Sequence, residues 1–454
     1  MLSASCCAIA ALVSGMSTAQ PAGAVPPASS SATAAPAPQP AGSSLMRTVR
    51  SLARDLAPVP AGSIVAALAL ESDVPAPHGS ELVSKAVSLL AGALGPEVRA
   101  GRSPVTLDTA RTEAASASSL VLLKVQIVQG EIRLSADAYP VSHNVWDRAR
   151  NPSPGPIAHG YASARIDAEI RSFLVPVPLV ATETLRVPLP EPEVLALLCD
   201  DIDDDGAIEV VAASRRNVRV GRFRNKQFDT LRKASWDAYA SIAPVPWRQP
   251  LMSIASPEPG SIDLGSTDRA RAVRIDAALA MRAELGGFPV PLPSGSACVS
   301  VDAGTLDNRL SPCTSDAQVP SWAEAPFTFD ASAAAAVVRA DGRLDGVMGV
   351  RRVADATVVL RDTQGRTASV SNVGAQIALA DLDLDGDPEL LASRNVLNAS
   401  QDALVVRTWS RQGVQERWSR PIPQGISAIT ACPAEGGGMR AIIVASSTEL
   451  WLIR

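Results

Sequence analysis

Apolar positions along this chain change their period partway through. In the first third, Leu45, Val49, Leu52 and Leu56 recur at helical spacing over Ser44–Leu56. Residues 63–70 (SIVAALAL) form a short unbroken apolar run, the pattern of a buried strand. Over residues 80–94, Leu82, Val83, Ala86, Val87, Leu90 and Leu94 share one helical face. Thr106 suits the N-cap of a further helix that carries Glu113. Residues 120–128 and 131–139 read as two strands around Gln129-Gly130, a hairpin signal. Residues 158–174 are predicted helical, with His159 opening the helix. The order α-β-α-α-β-β-α describes one small α/β domain over residues 45–174.

Residues 175–190 (VPVPLVATETLRVPLP) are extended and Pro-rich, and are placed to lend a strand to a second domain. From Glu191 onward helical periodicity fades. Short β-rich runs alternate with Gly, Asp and Asn turns, as in an all-β repeat fold. Two stretches match each other: LALLCDDIDDDGAIEVVAAS, 195–214, and QIALADLDLDGDPELLAS, 376–393. Asp201, Asp203, Asp205, Gly206 and Glu209 align with Asp381, Asp383, Asp385, Gly386 and Glu389.

That spacing has a chemical reason. Alternate side chains of a tight loop converge, so carboxylates at positions 1, 3 and 5 meet at one centre. Glycine at position 6 permits the sharp turn, and the glutamate at position 9 closes the shell. Hard oxygen ligands in a loop suit Ca²⁺ better than Zn²⁺ or Mg²⁺. The pattern is not an EF-hand, because position 12 is Ala212 or Ala392 and the flanks read as strands. It resembles the FG-GAP/VCBS repeats of integrin-type β-propellers. The resemblance implies that each loop joins the first two strands of a blade and holds a structural Ca²⁺, two sites in all. The literal Phe-Gly and Gly-Ala-Pro elements of that family are not evident. The order of elements over residues 46–174, ahead of a propeller, is similar to the N-terminal α/β domain of TolB and related envelope proteins.

The expected fold class is therefore multidomain: a small α/β domain, then a propeller of about five to seven blades over residues 175–454. The two loops lie about 180 residues apart, four steps of roughly 45, a normal blade length. Ring closure one step later gives six blades, and an insertion at 302–325 would leave five. Residues 337–350 look like a degenerate copy of the loop, with Arg343 in place of the middle Asp, where it can neutralise the remaining acids, and no metal is expected there. Residues 251–265 and 426–446 have strand-turn-strand character without an acidic loop. Four cysteines beyond residue 19 allow three pairings. On a closed ring, Cys199 and Cys432 fall in neighbouring first and last blades, where a bond would clasp the circle. Cys298 and Cys313 would staple the insertion.

Residues 6–13 (CCAIAALV) and the small residues Ser17-Thr18-Ala19 read as an export signal over residues 1–19. No basic residue precedes Arg47, and Ser3 stands where a lipobox ahead of Cys6 or Cys7 wants Leu, which bears on the alternative of a lipid anchor. Residues 20–44 are a Pro/Ala/Ser linker, expected to be a disordered tether. The expected location is secreted or periplasmic. The net charge of −5 carries no basic bias toward nucleic acid, and no apolar run is long enough for a transmembrane segment. The three histidines, His78, His143 and His159, all precede the propeller, and no nucleophile, Walker or zinc-protease motif occurs. Trp236, Trp247, Trp322, Trp409, Trp418 and Trp451 read as blade packing. The expected role is non-enzymatic: a binding or scaffold protein with a protein or glycan ligand on the propeller face. The alternatives are a TolB-like envelope-complex component and a propeller enzyme acting on polysaccharide.

Overall fold

The computed structural model describes residues 42–150, 154–189, 191–245, 249–302, 304–314, 319–436 and 438–454. The expected export signal, most of the expected linker and Trp247 lie outside them. No described helix is long and apolar enough to cross a membrane.

The first domain runs α1 (Ser44–Leu56), β1 (Ile64–Ala67), β2 (Glu71–Ser72), α2 (Gly79–Leu94), β3 (Arg99–Ala100), α3 (Leu107–Glu113), β4 (Ser119–Val128), β5 (Glu131–Pro140), α4 (Val145–Arg150), β6 (Ala158–Arg165) and α5 (Ala168–Arg171). Ser43 caps α1 by accepting the Met46 N–H, and Thr106 caps α3 by accepting the Thr109 N–H. The sheet order is β3-β1-β4-β5-β6, with β1 parallel to both neighbours and β4, β5 and β6 antiparallel. The apolar stripes of α1 and α2 close over one face of this sheet, with Leu52, Leu82 and Leu90 fully buried. Ala110 and Ala114, in and just after α3, pack with Ile64, Ala66 and Leu120 in a separate small cluster.

The helix predicted over residues 158–174 is a correction. Those residues form strand β6, in which His159 lies, followed by the short α5. Ala158, Gly160, Ala162 and Ala164 alternate with larger residues at period two, the strand period. Their smallness lets α1 lie close: a Cβ at Gly160 would come within 2.9 Å of Leu52. Alanine favours helices, so its abundance masked the alternation.

The propeller has six blades. The blade containing the first acidic loop is Val194–Asp200, Glu209–Ser214, Asn217–Arg224 and Gln227–Ser235. Blade 2 spans Met252–Ala255 to Met281–Glu284, and blade 3 is Phe288–Leu292, Gly295–Val299 and Ser311–Pro312. Blade 4 is built on Phe329–Val338 and Leu344–Arg352, with Val301–Asp302 and Thr305–Leu306 added beside them. The insertion is thus shared between blades 3 and 4 and does not remove one, so the five-blade alternative falls. Blade 5, with the second acidic loop, is Val373–Ala380, Glu389–Arg394, Ala403–Ser410 and Gly413–Pro421. Blade 6 combines Ile426–Ala431, Ile442–Ser446 and Glu449–Ile453 with β7 (Thr184–Pro188), which arrives from the extended connector.

Second strands of the blades are sandwiched between neighbouring sheets, which is why EVVAAS and IIVAS are buried along their whole length. Trp236, Trp409 and Trp451 are buried in the blades, and Arg186 of β7 stacks over Trp451 at 3.8 Å. Two devices close the circle: the β7 pairing, five residues long, and a Cys199–Cys432 disulfide between the inner strand of blade 1 and the end of that of blade 6. A Cys298–Cys313 disulfide ties the short third strand of blade 3 to its second.

The first domain touches the loops that join first and second strands of the blades. Leu384 of blade 5 and Ala434 of blade 6 belong to the core cluster beneath α1 and α2. A Cβ on Gly130, at the β4–β5 turn, would strike Gly436 at 2.5 Å. Arg165 at the end of β6 donates to the Gly206 carbonyl at 3.4 Å, and Glu169 of α5 lies against Gly342 of blade 4.

Candidate metal centre

Both acidic loops adopt the same backbone turn. Asp204 and Leu384 have φ of 58° and 57°, and Gly206 and Gly386 have φ of 86° and 89°, the left-handed region that glycine accepts without strain. Asp201 accepts the Asp205 and Gly206 N–H groups at 3.1 and 3.0 Å; Asp381 accepts those of Asp385 and Gly386 at 3.1 Å each. Glu209 accepts the Ile202 N–H at 2.9 Å, and Glu389 that of Leu382 at 2.7 Å. The first and last acids therefore hold the turn in shape while keeping lone pairs directed inward. Carboxylate oxygens of Asp201, Asp203 and Glu209, and likewise of Asp381, Asp383 and Asp385, come within 4.8 Å of one another. Three of the four acids picked from the sequence converge in each loop, while Asp205 of the first and Glu389 of the second stand outside these groups.

The sequences of the loops are nearly alike, but their surroundings differ. In blade 1, Arg222 on the third strand hydrogen-bonds to Asp205 at 2.8 Å and to Glu209, and stands 3.7 Å from Asp203. Arg232 on the fourth strand donates to Asp203 at 3.0 Å, and Arg165 of the first domain is 3.7 Å from Asp201. Guanidinium groups thus occupy the ground a cation would neutralise. Arg222 holds the Asp205 carboxyl below its ordinary value, and the acids raise Arg222 in return.

In blade 5 the strand register puts neutral residues at the matching places. In blade 1 Val210 pairs with Gly221, and the next residue, Arg222, bonds to Glu209, whereas Glu389 pairs with Thr408. The partner of Val220 on the fourth strand is Arg232, while that of Val406 is Trp418. Among the described residues, no ion pair reaches Asp381, Asp383, Asp385 or Glu389. Asp383 Oδ1 and Glu389 Oε1 are buried without a hydrogen-bond partner, and Glu389 is 0% exposed. Burial, reinforced by the neighbouring acids, pushes Asp381 up to about 7 and Asp383 up to about 6. The same burial raises Asp385, and Glu389 well above the usual carboxylate range. Arg440, between the two loops, attracts Asp381 and Asp200 from a distance, and burial lowers its own pKa.

The degenerate loop of blade 4 lacks such an open set. Asp345, 1% exposed, is held by Arg339 at 2.8 Å and Arg343 at 3.2 Å. Burial opposes its ionisation, but these two guanidiniums outweigh it and keep the carboxyl below its ordinary value. Arg343 plays the neutralising part assigned to it from the sequence, and Arg339 shares it.

Arg222, Arg232 and Thr408 escaped the sequence reading. The connection between second and third strands is longer in blade 5 than in blade 1, so no constant offset relates Arg222 to Thr408. Only the pairing register aligns them.

The axis of the ring is lined by the inner strands of all six blades, with apolar Leu197, Ile254, Pro291 and Ile377 beside polar Ser332 and Gln376. Asp330, near one mouth, is the charged side chain of this lining and is paired with Arg351 at 2.5 Å. His78 and His159 are exposed and pair with Glu81 and Asp137 on the first domain, while His143 is exposed in the loop after β5.

No protein-family model matches the chain, and no curated protein matches it. Among solved structures it is similar to TolB from Acinetobacter baumannii, at 12% identity and a TM-score of 0.27, over 87% of this chain and 94% of that one. The C-terminal domains of LpoB from Escherichia coli and Salmonella enterica are each 13% identical, over 27% of this chain and 98% and 96% of theirs. Their TM-scores are 0.20 and 0.18. Scores this low carry no functional argument; the six-bladed assignment rests on the strand topology.

Proposed function

We propose that this chain is an exported, non-catalytic binding protein whose propeller is stiffened by calcium of the FG-GAP/VCBS kind. The carrying observation is the acid set of blade 5: convergent, with Asp381, Asp383 and Glu389 buried, and with no guanidinium in ion-pair contact among the described residues. Close carboxylate pairs repel by roughly 1 kcal/mol each even in water, and by more when buried. Ligand oxygens of Asp381, Asp383 and Asp385 within 4.8 Å of one another fit inside a Ca²⁺ shell, whose bonds run near ~2.4 Å. Asp381, Asp383, Asp385 and Glu389 would hold the ion. At the blade 1 loop, calcium would have to displace Arg222, so its affinity there is weaker. Two disulfides support an oxidising compartment.

The pairing of Asp330 in the axis lining with Arg351 supports binding over catalysis. The first domain covers part of one propeller face. Loops of the opposite face expose Ile242, Val245, Val353 and Leu397, the last fully. Bare apolar side chains suit a protein ligand better than a glycan, and we place the partner there. The test of the metal reading is calorimetric titration of EGTA-treated protein with Ca²⁺, together with melting curves. One tight site and a raised melting temperature are expected, and Asp383→Ala should lose most of the rise. Absence of both heat and shift would overturn it.

A further inference from the structure

The acidic loop of blade 5 faces two ways. Asp383 and Asp385 turn toward the acid cluster, while Leu384 between them is 2% exposed and belongs to the core of the α/β domain. One turn of chain therefore presents ligands on one side and an interdomain anchor on the other. The blade 1 loop serves as an internal comparison. It has the same backbone, with φ of 58° at Asp204, but that residue is exposed and charged. The turn itself does not call for leucine. Leucine stands where the loop meets the other domain.

We propose that cation binding at the blade 5 loop latches the α/β domain onto the propeller. The inference rests on the calcium reading and adds a regulatory role to the same site. A cation draws the four acids together and fixes the left-handed turn, so that Leu384 points into the core formed with α1 and α2. Without it, the buried oxygens of Asp383 and Glu389 have no partner and gain by reaching water. The loop then opens, Leu384 is withdrawn, and the α/β core loses one of its own members. Contacts elsewhere between the domains are smaller: Ala434 of blade 6 in the same core, glycine against glycine at Gly130 and Gly436, Arg165 on a carbonyl and near Asp201, and Glu169 beside Gly342. None replaces a buried leucine. Sensing of the cation and the docking of the domain thus share one loop.

The experiment is hydrogen–deuterium exchange on the full, oxidised chain with Ca²⁺ or with EGTA, alongside calorimetry and small-angle scattering. Chelation should speed exchange at the β4–β5 turn and in α5 by a factor within the usual span for coupled sites, about five- to 150-fold. It should also raise the radius of gyration, while blades 2 and 3 keep their protection. Leu384→Asp, which copies the blade 1 loop, should abolish the calcium effect on the α/β domain and leave calcium protection of blade 5 itself. Calcium heat with unchanged exchange in the α/β domain would overturn the latch and spare the calcium reading. So would full coupling in Leu384→Asp. No calcium heat would remove both.

Discussion

Removing the Cys199–Cys432 clasp tests how the ring is held. The bond closes a loop of 233 residues, nearly the whole propeller. Restraining a loop that long lowers the entropy of the unfolded chain by about 5 kcal/mol, against ~3 kcal/mol for the 15-residue separation spanned by Cys298–Cys313. The clasp is thus comparable with the ~5–15 kcal/mol net stability of an ordinary domain. Both sulfurs are buried among Val210, Ala428 and Ile443, so alanine is a better replacement than serine and adds only about 1 kcal/mol of packing loss. The β7 pairing remains, and the native ring should stay closed. The assay is guanidinium unfolding at saturating calcium, followed by fluorescence of Trp236 and Trp451, which sit in the two clasped blades. Cys199→Ala/Cys432→Ala should unfold at distinctly lower denaturant and lose more than Cys298→Ala/Cys313→Ala. Equal losses in the two double variants, or a clasp loss below about 1 kcal/mol, would refute restraint of the unfolded chain as its mechanism.

Thr408→Arg should supply blade 5 with the internal cation that blade 1 already has. At free calcium about 100-fold above Kd, the parent should gain about 2.7 kcal/mol and the variant almost none, read from melting curves. In EGTA, stability should fall as pH rises. The folded-state values of Asp381 and Asp383, about 7 and 6, lie above their ordinary 3.8, so their contribution is full below about pH 4 and lost as pH climbs through 6 to 7. Calcium should flatten that slope, and a rise with pH in EGTA would show that burial does not govern these acids. Gly160→Leu should cost about 1–3 kcal/mol by driving β6 off α1, measured by chemical denaturation; a neutral result would mean that the strand does not lie against Leu52.

Local sequence determined a good deal of this protein. Apolar spacing sufficed for α1, α2 and the β4–β5 hairpin, because each element carries its own period. The D-x-D-x-D-G-x-x-E runs marked both acidic loops, since a turn that converges carboxylates is written in consecutive residues. The spacing of those loops was compatible with six blades and also with five. Tertiary structure decided the rest. It made residues 158–165 a strand, because a neighbouring strand and α1 supply partners that alanine's own propensity does not reveal. It also separated two loops that look alike in sequence. What touches each carboxylate, arginine in ion-pair contact in blade 1 and threonine at the matching place in blade 5, comes from adjacent strands whose register depends on loop length. Charge balance at a buried site is a sum over neighbours in space, and those neighbours are fixed only when the sheet is assembled.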